Sequence, residues 1–135
     1  MRSPCASQLI FQIMLEKLKA FLQINNIIAT NVEGQTDMIS FSINGLNFIA
    51  IYNKDADSSF FQMMLPKIGS CHNWDEKLNK LNSSYKAGKV YSIDGKIWLS
   101  VETFVYGNID YLALFGRMIA TLQEMIKYYR KEYND

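Results

Sequence analysis

This sequence predicts an α+β fold in which a mostly antiparallel sheet is packed with helices, and three observations lead to it. Two dipeptides, Asn44-Gly45 and Asp94-Gly95, each stand between apolar runs that alternate along the chain. That is a hairpin signal, because a type I′ turn needs positive φ at both central residues. Three other stretches instead repeat apolar residues at spacings of three and four, the period of an amphipathic helix. At 135 residues with 49% hydrophobic content, the chain can bury roughly 68% of its unfolded surface in one core, and it is too short for two ordinary domains. A single domain over residues 1–135 is expected.

The elements follow in order. Ser7 is placed to cap a helix reaching Asn25, with Ile10, Met14, Leu18 and Phe21 on one stripe and Leu15 and Leu22 widening it. Met14 offers a second start, which would leave residues 1–13 outside the native domain or disordered. Residues 27–33 read as a strand, Gly34-Gln35 as a turn and residues 37–43 as a second strand. Asn44-Gly45 turns the chain into a third strand over residues 46–52. Residues 53–59 are polar and loop-like, and residues 60–65 read as a strand or a helical turn, with a fourth strand favoured. Pro66 lacks a backbone donor and is expected to end that strand and to hold it at a sheet edge.

Asn73, with Glu76 three positions on, gives a capping-box pattern for a second helix. Trp74, Leu78, Leu81 and Tyr85 lie on its stripe, it ends near Lys86, and Gly88 is placed to close it. The Asp94-Gly95 hairpin then admits two registers. A two-residue loop sets Tyr91 and Ile93 on the face of Trp98, whereas a three-residue loop sets Tyr91 with Ile97, Leu99 and Val101. The second strand continues to about Phe104. Gly107-Asn108 breaks it, and Asn108 is placed to cap a last helix with Asp110 in its first turn. Along it Leu112, Phe115, Ile119, Leu122, Ile126 and Tyr129 face one side, and Lys127, Arg130 and Lys131 complement the dipole at its end. The order is α-β-β-β-β-α-β-β-α.

Composition excludes several function classes. Fourteen Lys and Arg against 13 Asp and Glu give a net charge of +1, so no single-sign field exists to hold nucleic acid or an anionic membrane. No run approaches the roughly 20 apolar residues of a membrane span. Two cysteines, Cys5 and Cys71, make neither a metal set nor a secreted disulfide framework. A reducing, cytoplasmic setting is expected.

The search for chemistry returns little. His72 is the only histidine and its neighbour Cys71 does not share a face with it on any regular element, so neither a metal cluster nor a nucleophile pair is supported. Asp55 and Asp57 imitate the start of a calcium loop, but the glycine and the bidentate glutamate it needs are missing. No glycine-rich loop has phosphate-binding spacing. The tyrosines among Lys127, Arg130 and Lys131 are read as helix packing and dipole complementation rather than a base-stacking platform. No cofactor, metal or catalytic residue is expected. The feature left over is an apolar surplus, Phe60, Phe61, Met63, Met64 and Leu65. Strand alternation sends these to both faces, so part of this segment either stays exposed as a candidate interaction surface or is core, a strand buried on both faces by helices.

From residue 14 onward the chain resembles the YbjN family, whose domains share the fold of type III secretion chaperones. The resemblance lies in the order of elements, in INGLNFIAIY followed by a polar loop and FFQMMLP, and in LNKLNSSYKAGKVYSIDGKIWLSVE over residues 78–102. Within the latter, Leu81-Asn82, Tyr85 and Lys89 match the family's pattern. The resemblance implies a secretion-chaperone-like fold and no catalytic residues. The expectation that follows is a non-catalytic protein-interaction or chaperone-like module of unknown client, acting as a homodimer. The alternative is a small-molecule or lipid-binding domain with an apolar pocket between sheet and last helix, lined by Met118 and Met125.

Overall fold

The computed structural model describes residues 6–34, 37–53, 60–70, 76–84, 88–105 and 109–133. Three helices and six strands follow one another as α1 (Ala6–Ile24), β1 (Ala29–Asn31), β2 (Met38–Ile43), β3 (Leu46–Asn53), β4 (Phe60–Ser70), α2 (Glu76–Ser84), β5 (Gly88–Ile93), β6 (Lys96–Phe104) and α3 (Tyr111–Tyr133). This is the α+β order the sequence predicts. The six strands form one antiparallel sheet in the order β1-β2-β3-β4-β6-β5.

Both hairpin tips close as two-residue turns. Ile43 pairs with Leu46 across Asn44-Gly45, and Ile93 pairs with Lys96 across Asp94-Gly95. All four turn residues have positive φ, 51° and 80° at the first tip and 50° and 76° at the second. The turn twist therefore matches the right-handed twist of the strands it joins. Of the two registers open at the second hairpin, the two-residue loop is the one formed, and Tyr91 stands opposite Trp98.

All three helices lie on one face of the sheet. Met14, Leu18 and Leu22 of α1, Leu78 and Leu81 of α2, and Phe115, Leu122 and Met125 of α3 share a single buried cluster with every second residue of the strands. On the sheet side one row of it crosses β2, β3, β4 and β6 as Ile39, Ala50, Met63 and Val101. Phe115, completely buried, holds the centre, with ring centroids 5.7 Å from Phe61 and 5.9 Å from Phe21. Phe41 and Phe48 stack in parallel at 5.1 Å. Burying side chains of this size contributes about 1.5–3 kcal/mol each, so this face supplies most of the folding drive.

Several boundaries depart from the sequence expectation, each for a local reason. α1 begins at Ala6, so Ser7 lies inside the helix rather than at its cap. β1 is three residues long, because Ile27 N–H turns back to the Leu22 carbonyl at the helix end. Gly88 opens β5 instead of closing α2. Asp110, expected in the first turn of α3, is its cap: its Oδ1 accepts from Ala113 N–H at 3.1 Å and its carbonyl from Leu114 N–H at 3.0 Å. The caps expected at Asn73 and Asn108, together with Trp74 and Tyr85, fall outside the described residues.

The largest correction concerns β4. The sequence reading put it at a sheet edge ending at Pro66. It lies instead between β3 and β6 and runs on to Ser70. Pro66 is accommodated because the register with β6 shifts between Leu65 and Gly69, where Lys67 takes a φ of 52°. A bulge releases the proline from the ladder without ending the strand.

Candidate functional site

Alternation along the strands gives the sheet a second face, opposite the helices. Two rows cross it side by side. One runs Ser40, Ile49, Met64, Ser100, Lys89 over β2, β3, β4, β6 and β5, and the other runs Met38, Ile51, Gln62, Glu102. Successive rows on one face lie about 7 Å apart, two residues along a strand. None of these residues belongs to the core cluster beneath the helices, and no described helix packs against them. Ile49, Ile51 and Trp98 are half-buried by their neighbours alone.

The middle of this outer face mixes apolar side chains, Ile49, Ile51 and Met64, with Gln62, Ser100 and Glu102, and the one cation and one anion on its two rows are paired. Tyr91 and Trp98 stack at 6.3 Å with their planes 20° apart, a cross-strand aromatic pair on β5 and β6. Met64, 6% exposed, is the one buried apolar side chain of the described residues that stands outside the core cluster. Lys89 Nζ lies 3.5 Å from Glu102 Oε1, which also accepts from Gln62 Nε2 at 3.3 Å. Ser100 is fully buried among these side chains, its hydroxyl beside that of Tyr91 but outside strict hydrogen-bond geometry. Burial pushes the Tyr91 phenol above its ordinary value of 10.0. The Ser100 hydroxyl works against that shift and the nearby Glu102 carboxylate adds to it. Trp98 Nε1 is buried without a hydrogen-bond partner.

Overlapping the first row at Ser40 and Ile49, a groove of about 600 Å³ runs along β1, β2 and β3, with Ile28, Thr30, Ser42, Asn47 and Pro66 also in its lining. Ser42 Oγ donates to Asn47 Oδ1 at 2.7 Å within it. None of its lining residues is titratable, so the groove offers apolar contact and neutral hydrogen bonding but no acid or base. Among the described residues no three of His, Cys, Asp and Glu come together as a metal site would require, and no helix is long and apolar enough to cross a membrane. Cys71, His72, Asp55 and Asp57 lie outside the described residues.

The interaction surface expected from Phe60, Phe61, Met63, Met64 and Leu65 is not an exposed segment. Phe61, Met63 and Leu65 are 0%, 0% and 1% exposed beneath the helices, and Met64 is covered on the outer face. The Phe60 side chain lies outside the described residues. A central strand has neighbours on both sides, which is why its apolar surplus is consumed by packing. The outer-face residues Ile49, Ile51, Tyr91 and Trp98 were missed as surface candidates. Their signal was present: β3 reads LNFIAIYN, with apolar residues in both alternation phases, while all three helices are amphipathic and cover one face only.

Set beside known proteins, the chain matches no family model and no curated protein. The likeness to YbjN and secretion-chaperone domains therefore rests on the residues quoted for it.

Proposed function

We propose that this chain is a non-catalytic protein-interaction module, chaperone-like in the sense of the family it resembles, that binds a protein partner across the outer face of its sheet. The observation that carries this reading is the half-exposed set Ile49, Ile51, Tyr91 and Trp98 on the side the helices leave uncovered. Tyr and Trp are residue types enriched where proteins meet. The composition, with two cysteines and no disulfide framework, supports a cytoplasmic setting.

The alternative, a small-molecule or lipid pocket between sheet and α3, has less support. Met118 and Met125, expected to line it, are 3% and 0% exposed and fill that space as core. Capture from an extract of the source cell, with wild-type protein and with Ile51→Lys immobilised side by side, tests the leading reading. Proteins held by the wild type and lost by the variant are expected. Identical captured sets from the two would refute a role for this face.

A further inference from the structure

We infer that the chain binds a small phosphorylated compound, held through its phosphate in a pocket between the Asn44-Gly45 hairpin tip and the C-terminal half of α3. The pocket holds about 410 Å³ and is lined by Asn44 and Leu46 from the hairpin and by Gln123, Ile126, Lys127 and Arg130 from the helix. Leu46 packs against the core beneath the helices. The site is therefore on the helix side of the sheet, and the inference does not depend on the reading of the outer face. Three observations carry it.

The first is the placement of the cations. Gln123, Lys127 and Arg130 follow one another at spacings of four and three, so one stripe of α3 carries all three into the pocket. The helix dipole accounts for Arg130 and Lys131, which lie in the last turn. It does not account for Lys127, because the influence of the dipole falls off within that turn. Lys131 is absent from the pocket lining. The pocket thus selects its two cations by helix face and not by nearness to the helix end.

The second is that their charge is unpaired. Among the described residues neither Lys127 nor Arg130 has an ion-pair partner, although Glu124 stands three positions before Lys127. Like charges one helical turn apart repel each other, and an anion between them removes that cost. The helix end opposes an anion with roughly half a negative charge, which two full positive charges outweigh.

The third is the donor set. A guanidinium fork meets two oxygens of a phosphate at once, and an ammonium adds a point charge. Two cations match a phosphate monoester, which carries about −1.5 to −2 at neutral pH. The amides of Asn44 and Gln123 offer donors and acceptors to an uncharged remainder, and Leu46 and Ile126 give it an apolar wall. The volume falls in the range of small-molecule sites, about 300–1,000 Å³.

Amide NMR titration of the full chain with inorganic phosphate and with glucose 6-phosphate, at an ionic strength fixed by sodium chloride, tests the inference. Saturable shifts are expected at residues 44–46 and 123–130, with a dissociation constant for the sugar phosphate on the order of 1 mM or below. Inorganic phosphate is expected to bind more weakly. Lys127→Gln and Arg130→Gln should each weaken binding at least about tenfold, because each removes a charge-assisted hydrogen bond. Lys131→Gln should stay within about twofold, since its charge is outside the pocket and screened. Asn44→Gly keeps the positive φ of the turn and removes the amide; it should weaken the sugar phosphate and decides the matter should a helix variant unfold. The absence of saturable shifts with either probe overturns the inference. So does a Lys131→Gln loss as large as the other two, which would show diffuse attraction to the helix end. Inorganic phosphate binding as tightly as the sugar phosphate also overturns it, leaving a site for an adventitious ion only.

Discussion

Gly69 shows how far one missing side chain reaches. It follows the Pro66 bulge on β4, and a Cβ added there would overlap the Tyr129 hydroxyl of α3, while Tyr129 itself is 2% exposed. The glycine is what lets the last helix settle on the sheet at this point. Gly69→Ala is expected to cost about 1–3 kcal/mol through overpacking, read as a Tm lowered by roughly 5–10 °C. Combining it with Tyr129→Phe should recover part of the loss, because the atom in closest conflict is then gone; an additive double variant would show that the strain lies elsewhere. Tyr91 makes a second prediction at this scale. Its folded pKa is raised above the unfolded 10.0, chiefly by burial. Its contribution to stability is therefore complete below pH 10.0 and lost as pH rises through the higher folded value. A phenolate absorbance titration of wild type minus Tyr91→Phe should show a step above pH 10.0, and the stability gap between the two should narrow over the same window. A Tyr91 step at or below the ordinary value would contradict the packing described for it.

Among the elements, β4 separates what local chemistry encodes from what topology adds. Met63 is fully exposed to helix packing and not at all to solvent. Met63→Lys is therefore expected to unfold the protein, at a cost of about 4 kcal/mol or more, by placing an unpaired ammonium in the core. Ile51→Lys, one strand away but on the outer face, should leave the monomer folded. Chemical denaturation of the two variants distinguishes them. The hairpins at Asn44-Gly45 and Asp94-Gly95 were legible because a turn's backbone requirement is met by the two residues that form it. The helix stripes of Leu18, Leu22, Phe115 and Leu122 were legible for the same kind of reason. The position of β4 was not, since its second neighbour is β6, some 40 residues onward, with Gln62 against Glu102. No local pattern records that pairing, and Pro66, which usually signals an edge, is absorbed by a bulge. Asn82 is similar: the sequence marks it only within the Leu81-Asn82 pattern of the resemblance, and only the fold brings its side-chain Oδ1 to Val90 N–H.

At the scale of the whole molecule, a sheet covered on one side only makes stability and association one equilibrium. A protein partner that binds the outer face of the folded chain draws the folding equilibrium toward the complex by mass action, so apparent stability depends on partner concentration. For a partner in excess over its dissociation constant, each tenfold rise in concentration should add about 1.4 kcal/mol to apparent stability. The wild-type Tm should climb accordingly, while that of Ile51→Lys stays fixed. The character of the face sets a second dependence. The ion pair of its two rows, Lys89 with Glu102, forms within a single copy. Salt screens interactions between exposed charges but acts little on apolar burial. The concentration dependence should accordingly survive a rise in sodium chloride from about 0.05 M to 0.5 M, a span over which the Debye length falls from roughly 14 Å to 4 Å. Differential scanning calorimetry across concentration and salt would check both. If added salt abolished the concentration dependence, charge rather than the Ile49, Ile51 and Trp98 surface would be holding the partner, and the outer face would be the wrong site.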